Sequence, residues 1–211
     1  SLLNMMGAVS SSLQGQLVPI CAYIIMAVSL NLVVGISGEL SLGHAGFMSV
    51  GAFSGIVVSG MLETSGMPNG ARLACAVLTG AIFAGIAGFL IGIPVLRHRG
   101  DYLAIVTLAF GEIIKNIMNI VYACKDATGF HIATNPAIGQ TEGARMLLNG
   151  PMGATAVQRI STFTSGYILV IITLFVVQNI MNSRQGRSIM ACRDNRIAAE
   201  SIGLNVMKYK L

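Results

Sequence analysis

The polar and apolar positions of this chain do not alternate with the period of a surface helix or a half-buried strand. They fall instead into long apolar blocks separated by short polar stretches. Four blocks, Leu17–Ile36, Ala45–Leu62, Leu73–Leu96 and Ile160–Ser183, approach or exceed the ~20 residues a helix needs to cross the hydrocarbon core of a bilayer. A fifth, Tyr102–Cys124, is equally long but carries Glu112 and Lys115. The pattern predicts an all-α, polytopic transmembrane bundle of about five membrane segments. Between the blocks the connections are short, except residues 125–159. That stretch is rich in Gly, Asn, Pro and Thr, lacks a sustained apolar period, and reads as a long external loop with one short helix.

Composition agrees. The 211 residues are 54% hydrophobic, with a mean hydropathy of +0.75 and only 10% charged residues. A soluble domain typically carries ~25% charge, so this chain lacks the charge to cover a water-facing surface. The net charge of +5 raises the question of nucleic acid. Its distribution answers against it: Arg184, Arg187, Arg193, Arg196, Lys208 and Lys210 all lie after Ser183, with no aromatic interleaving and no nucleic-acid motif. By the positive-inside rule, this tail and the Arg97-His98-Arg99 loop are cytoplasmic. The expected division is a transmembrane domain over 1–183 and a cytoplasmic segment over 184–211. The side of the N-terminus stays open, depending on whether the second block crosses or turns back.

Inside the apolar blocks, small residues recur at a spacing of four: Gly51, Gly55 and Ser59, and again Ala84, Gly88 and Gly92. Such stripes let helices approach closely in lipid, and packing is their simplest role. The cysteines Cys21, Cys75, Cys124 and Cys192 are scattered, with no spacing for a metal site or a disulfide framework, and take no function here. No metal and no cofactor are expected. The chain begins Ser-Leu-Leu-Asn and ends at Lys-Leu, so it reads as a fragment of a longer chain.

Two polar features sit where lipid would penalise them. The first is GISGELSLGHAGF, residues 35–47, with four glycines, two serines, Glu39 and His44 between two apolar blocks. Its glycines allow a broken or re-entrant helix, whose freed backbone groups are tolerated at membrane depth only against protein or a water-filled cavity. Transporters place broken helices along their substrate paths, which makes Glu39, Ser41 and His44 candidate path residues. A plain cytoplasmic turn accounts for the composition equally well. The second feature is Glu112, near the centre of its block. A charge there costs ~2.5–3.5 kcal/mol on the insertion scale, so it must face protein or water. Lys115 and Asn116 share its helical face, and Asn119 extends that face by a turn. A structural ion pair between helices competes with a translocation path, for which Glu112 and Asn116 are the candidates.

Three stretches carry a family resemblance: SLNLVVGISGELSLGHAGFMSVGAF at 29–53, RHRGDYLAIVTLAFGEIIKNI at 97–117, and GRSIMACRDNRIAAESIGLNVMKYKL at 186–211. In that order they resemble inner-membrane permease subunits of branched-chain amino acid ABC transporters, the M-type Liv permeases. The resemblance implies a bacterial cytoplasmic-membrane subunit with no chemistry of its own. Its partners are a second permease subunit, two cytoplasmic ABC ATPases and an external binding protein, and its substrate a branched-chain amino acid. IAAESIG at 197–203 is similar to the importer coupling motif, with Ala198, Ala199, Glu200 and Gly203 in the matching places. A short helix from Asp194 to Glu200, ended by Gly203 and with Arg193 and Arg196 offering charge to a partner surface, suits docking on an ATPase. The sequence departs from the family at 126–143, where DATGFHIATNPAIGQTEG replaces a motif containing Gly-Gly, and the family continues past Lys-Leu, so the resemblance implies a fragment lacking the C-terminal spans.

Alternatives within the transport class are a permease for urea or short amides and a passive channel; the coupling-like segment argues against the channel. An intramembrane enzyme would need a GxSxG or HExxH constellation, and the chain has neither. It also lacks GxxxxGK[ST], so nucleotide belongs to partners.

Overall fold

A computed structural model describes residues 11–63, 66–95, 101–126, 129–134, 145–154, 160–204, 206 and 209. The Arg97-His98-Arg99 loop and much of the long loop lie outside the described residues. Five helices are long and apolar enough to cross a membrane: Gly15–Ile36, His44–Leu62, Asn69–Pro94, Tyr102–Ile120 and Phe163–Asn182. Each corresponds to one apolar block of the sequence, with its ends adjusted by a few residues. The chain forms two compact units, one of residues 1–41 with 161–211, the other of residues 42–160.

The first unit contains α1 (Ser11–Asn31), which continues without interruption into a π-helical turn over Leu32–Ile36. Ser37 and Glu39 close this turn by donating their amides to the carbonyls of Leu32 and Val33, at 3.2 and 3.4 Å. Such π-turns are rare and often mark functional sites. Helix α5 (Phe163–Asn182) packs on α1 where Gly166 meets Cys21: a Cβ at Gly166 would lie 3.1 Å from the Cys21 Cβ. Ser183 then caps α6 (Arg184–Asp194), its Oγ accepting from the Gly186 amide at 3.1 Å. A last short helix, α7 (Arg196–Ser201), follows.

The second unit contains α2 (His44–Leu62), α3 (Asn69–Val95) and α4 (Asp101–Ile120). The first small-residue stripe packs as the sequence predicts. Gly51 lies against Gly80 and Ala84, Gly55 against Ala76, and Ser59 accepts from Arg72 Nε at 3.0 Å. The facing residues Gly80, Ala76 and Arg72 are themselves four apart, so two stripes zip together antiparallel. Of the second predicted stripe, Ala84 joins this contact, whereas the Gly88 face is open. Helix α4 packs parallel to α2, with Gly43 against Thr107 and Gly46 against Gly111 and Ile114.

The region expected as a loop with a short helix does contain one, a 3₁₀ turn over Gly150–Met152, but strands precede it. Helix α4 stops at Ile120, and Tyr122–Cys124, expected to complete it, begin a three-stranded antiparallel sheet. The strands are β1 (Tyr122–Asp126), β2 (Gly129–Ala133) and β3 (Arg145–Asn149), in the order β2-β1-β3. Tyr122 pairs with Ala133 and Asn149 on its two sides, and a register shift falls between Ala123 and Cys124. Ala123, Cys124, Leu147 and Leu148 are buried, and the Leu147 side chain lies over Gly60 at the end of α2. The apolar positions of these strands are too few to register as a period, yet enough to seat a small sheet on α2.

Candidate functional site

The GISGELSLGHAGF stretch interrupts helical structure, as expected: regular helix ends at Ile36 and resumes at His44. Its two halves belong to different units. In the first, Gly38 has φ +70°, a left-handed conformation that glycine adopts without strain. In the second, Leu42 donates its amide to Thr107 Oγ1 at 3.2 Å, fixing the entry to α2 against α4. A side chain at Gly43 would collide with the Thr107 carbonyl, so this close approach demands glycine.

A cavity of about 370 Å³ opens beside that approach, between α2 and α4. Leu42, Ala45, Gly46, Ser49 and Phe53 supply one wall, at the three- and four-residue spacing of a helix face. Leu108, Gly111, Glu112, Lys115, Met118 and Asn119 supply the other, and Gly150, Pro151 and Gly153 close one end. Gly46 and Gly111 face each other: a Cβ on Gly46 would meet the Gly111 Cα at 3.2 Å. Gly150 has φ +44°, and a Cβ there would meet the Asn119 carbonyl at 2.6 Å, so this end also depends on close backbone contact.

The charged pair on the α4 wall is formed. Lys115 Nζ donates to Glu112 Oε1 and Oε2 at 3.3 and 3.2 Å, with both side chains more than half exposed. The shared helical face therefore brings Glu112, Lys115 and Asn119 to one cavity. Asn116 is exposed and does not line it. Glu39 and Ser41 belong to the first unit, and His44 starts α2, half-buried, without lining the cavity. Ser49 and Phe53 were missed because neither is unusual in an apolar helix. Their spacing of four and eight from Ala45 is the signal that marks them. Arg72 was missed too; it is almost fully buried against Ser59.

The tail forms two helices where a single short one was expected. Asp194 ends α6, and Asn195 turns the chain at φ −150°, ψ 102° and caps α7, its Oδ1 accepting from the Ala198 amide at 3.1 Å. Gly203, at φ +86°, ends α7 as predicted. Its amide donates to the Glu200 carbonyl at 3.0 Å, and that of Leu204 to Ala199 at 3.1 Å, the paired bonds of a Schellman cap. Ala199 is buried with Cys192 and Val206, and Leu204 packs against them. Ala198 and Glu200 face outward. The charges are paired within the chain: Arg196 Nε with Glu200 Oε1 at 2.8 Å, and Arg193 with Asp194 at 3.1 Å. An exposed i,i+4 pair contributes only ~0.3–0.5 kcal/mol, so these groups can exchange partners easily. Among the described residues, no cluster of His, Cys, Asp and Glu could hold a metal ion.

Comparison with known proteins assigns the family. A family model described as "Branched-chain amino acid transport system / permease component" matches residues 12–211. The high-affinity branched-chain amino acid transport system permease protein LivM of Salmonella typhimurium (strain LT2) is 34% identical over 200 residues, 90% of this chain and 45% of that protein. LivM of Escherichia coli (strain K12) is 33% identical over 200 residues, with the same coverage. The chain thus spans less than half the length of these curated relatives. No solved structure matches it. With its five apolar helices and this match over nearly its whole length, the chain is a multi-pass membrane protein and belongs to the branched-chain amino acid transport system permease component family.

Proposed function

We propose that this chain is part of the permease subunit of an ATP-driven importer in the bacterial inner membrane, and that it forms part of the translocation path for branched-chain amino acids. The observation that carries the reading is the α2/α4 cavity, where the glycine-rich helix entry and the charged face of α4 meet. A charge pair at the middle of a membrane helix must face protein or water, and here it faces this cavity. Glu112 is the principal path residue; Glu39, Ser41, His44 and Asn116 are held as further path candidates.

The proposed division is a transmembrane domain over 1–183 and a cytoplasmic ATPase-coupling segment over 184–211, with 125–159 on the outer side. Arg193, Asp194, Arg196, Ala198, Ala199, Glu200 and Gly203 are the coupling residues. Two ABC ATPases supply the hydrolysis, a second permease subunit completes the path, and an external binding protein delivers the substrate. The capped α7, held by its buried Ala199, supports this role, since a rigid short helix can transmit motion from a partner.

The test is uptake of labelled leucine by cells expressing the full-length subunit with its partners. Wild type is compared with Glu200→Arg and Glu200→Gln at equal membrane abundance. Loss of uptake together with loss of ATPase copurification in Glu200→Arg supports the reading. The Gln variant, which removes the Arg196 pair without reversing charge, should lose less. Unchanged uptake in Glu200→Arg removes this residue from the coupling interface. No leucine uptake by wild type removes the substrate.

A further inference from the structure

We propose that the α2/α4 cavity binds the zwitterionic end of a free amino acid, with Lys115 receiving its carboxylate and Glu112 its ammonium group. The inference rests on the permease reading above and names what that cavity holds.

Three observations lead to it. First, the wall carries one positive and one negative group side by side, with Lys115 Nζ 3.2 Å from Glu112 Oε2. A free amino acid presents the same two charges on one carbon, so it can insert between them and replace one internal ion pair with two. Second, the pair is open to the cavity rather than sealed. The side chains are 64% and 56% exposed, so a ligand can reach either charge without first being desolvated against a sealed pair. Third, the rest of the lining suits an aliphatic side chain. Phe53, Leu108 and Met118 are apolar, and Gly46 and Gly111, which touch each other, add no side chain that would occupy the cavity. The volume of about 370 Å³ lies in the ~300–1,000 Å³ range of small-molecule sites.

Selectivity follows from charge. A ligand with only an ammonium group would oppose Lys115, and one with only a carboxylate would oppose Glu112. Urea and simple amides carry neither charge and gain nothing from opening the pair.

The experiment is equilibrium binding of labelled leucine to the full-length permease–ATPase complex, purified without the external binding protein. Leucinamide, which lacks the carboxylate, and 4-methylpentanoate, which lacks the ammonium group, serve as competitors. Wild type is expected to bind leucine and to discriminate against both. Lys115→Gln is expected to weaken leucine binding by roughly tenfold or more, as one charge-assisted contact is lost, while leucinamide now competes as well as leucine. Glu112→Gln is expected to relax discrimination against 4-methylpentanoate instead. Leu108→Trp fills the cavity with both charges in place and is expected to abolish binding, which gives an arm independent of the charged variants.

A structural ion pair would affect all three compounds alike, so parallel losses overturn the proposal. Leucine binding and uptake that are unchanged by Leu108→Trp and by both charge variants overturn it too, and leave the permease reading standing. A wild-type complex that neither binds nor moves leucine overturns that reading and this proposal with it.

Discussion

The Arg193 guanidinium donates from Nη1 to the carbonyl oxygen of Gly35 at 2.5 Å, joining the last turn of α6 to the π-turn that closes α1. The last carbonyls of a helix have no partner in their own helix, and a cation placed there also meets the negative end of the helix dipole. Arg193 supplies both the donor and the charge. Its aliphatic stem lies over Gly38, just beyond the same turn. One side chain of the proposed coupling segment thus holds both sides of the point where the first membrane helix ends.

Removing that hold is expected to separate two readouts. Arg193→Ala should weaken ATPase copurification less than Glu200→Arg does, because α7 and its cap are untouched. It should lower leucine uptake per ATP hydrolysed, because the link to the helix end is gone. Both rates would be measured on the same proteoliposomes of the full-length complex. Backbone hydrogen exchange at residues 35–39 should rise in parallel. Unaltered exchange there would mean that other contacts hold the turn.

Gly38 gives a second test of the same contact. A left-handed conformation costs a non-glycine residue roughly 1–2 kcal/mol, and a Cβ at this position would also press on the Arg193 stem. Gly38→Ala should therefore lower thermal stability in detergent. Part of that loss should disappear in Gly38→Ala/Arg193→Ala, since the steric component needs both residues. The expected signature is a non-additive double-mutant cycle, and an additive one would place the whole cost in the backbone.

Much of this fold was legible because the bilayer imposes a strong code. Twenty-residue apolar blocks, the small-residue stripe at Gly51, Gly55 and Ser59, and the helix end at Gly203 each rest on local sequence. The glycine-rich interruption after Ile36 was legible for the same reason. The three-stranded sheet was not, because each strand is only five residues long, too short to show a period, and β3 reaches β1 across a long stretch of chain. The site was half legible. The unusual cost of Glu112 drew attention to one wall of the cavity. Ser49 and Phe53 on the other wall are ordinary residues that gain meaning only from what faces them. Asn116 shows the limit of a shared-face argument: four residues from Glu112, it falls just outside the cavity that Asn119 reaches. The contact from Arg193 to Gly35 spans 158 positions and leaves no local trace.

The α2/α3 stripe predicts opposite outcomes for two glycines on one helix. A Cβ at Gly80 would lie 2.7 Å from the Gly51 carbonyl, where only backbone can yield, so Gly80→Ala should cost ~1–3 kcal/mol through overpacking. Gly88 has nothing within 4 Å of such a Cβ. Gly88→Ala should be neutral or gain up to ~1 kcal/mol from helix propensity. Unfolding by SDS titration in mixed micelles would rank the two. A large loss at Gly88 would show that its open face is covered by another part of the full-length assembly.

The cap of α7 offers the sharpest test of the tail. Six residues are too few to hold a helix by propensity alone, because nucleation is unfavourable in so short a segment. Two devices compensate: Asn195 satisfies the first turn and Gly203 the last, while Ala199 anchors the middle. Losing an N-cap side chain costs ~0.5–2 kcal/mol, a large share for so short an element. Asn195→Ala should therefore weaken ATPase copurification and leucine uptake without changing any residue of the IAAESIG motif. Asn195→Asp keeps a side-chain oxygen for the Ala198 amide and should retain both. If the two variants lose function equally, Asn195 acts through contact with a partner rather than by capping. If neither loses any, α7 does not need to be preformed, and the partner itself must organise the segment.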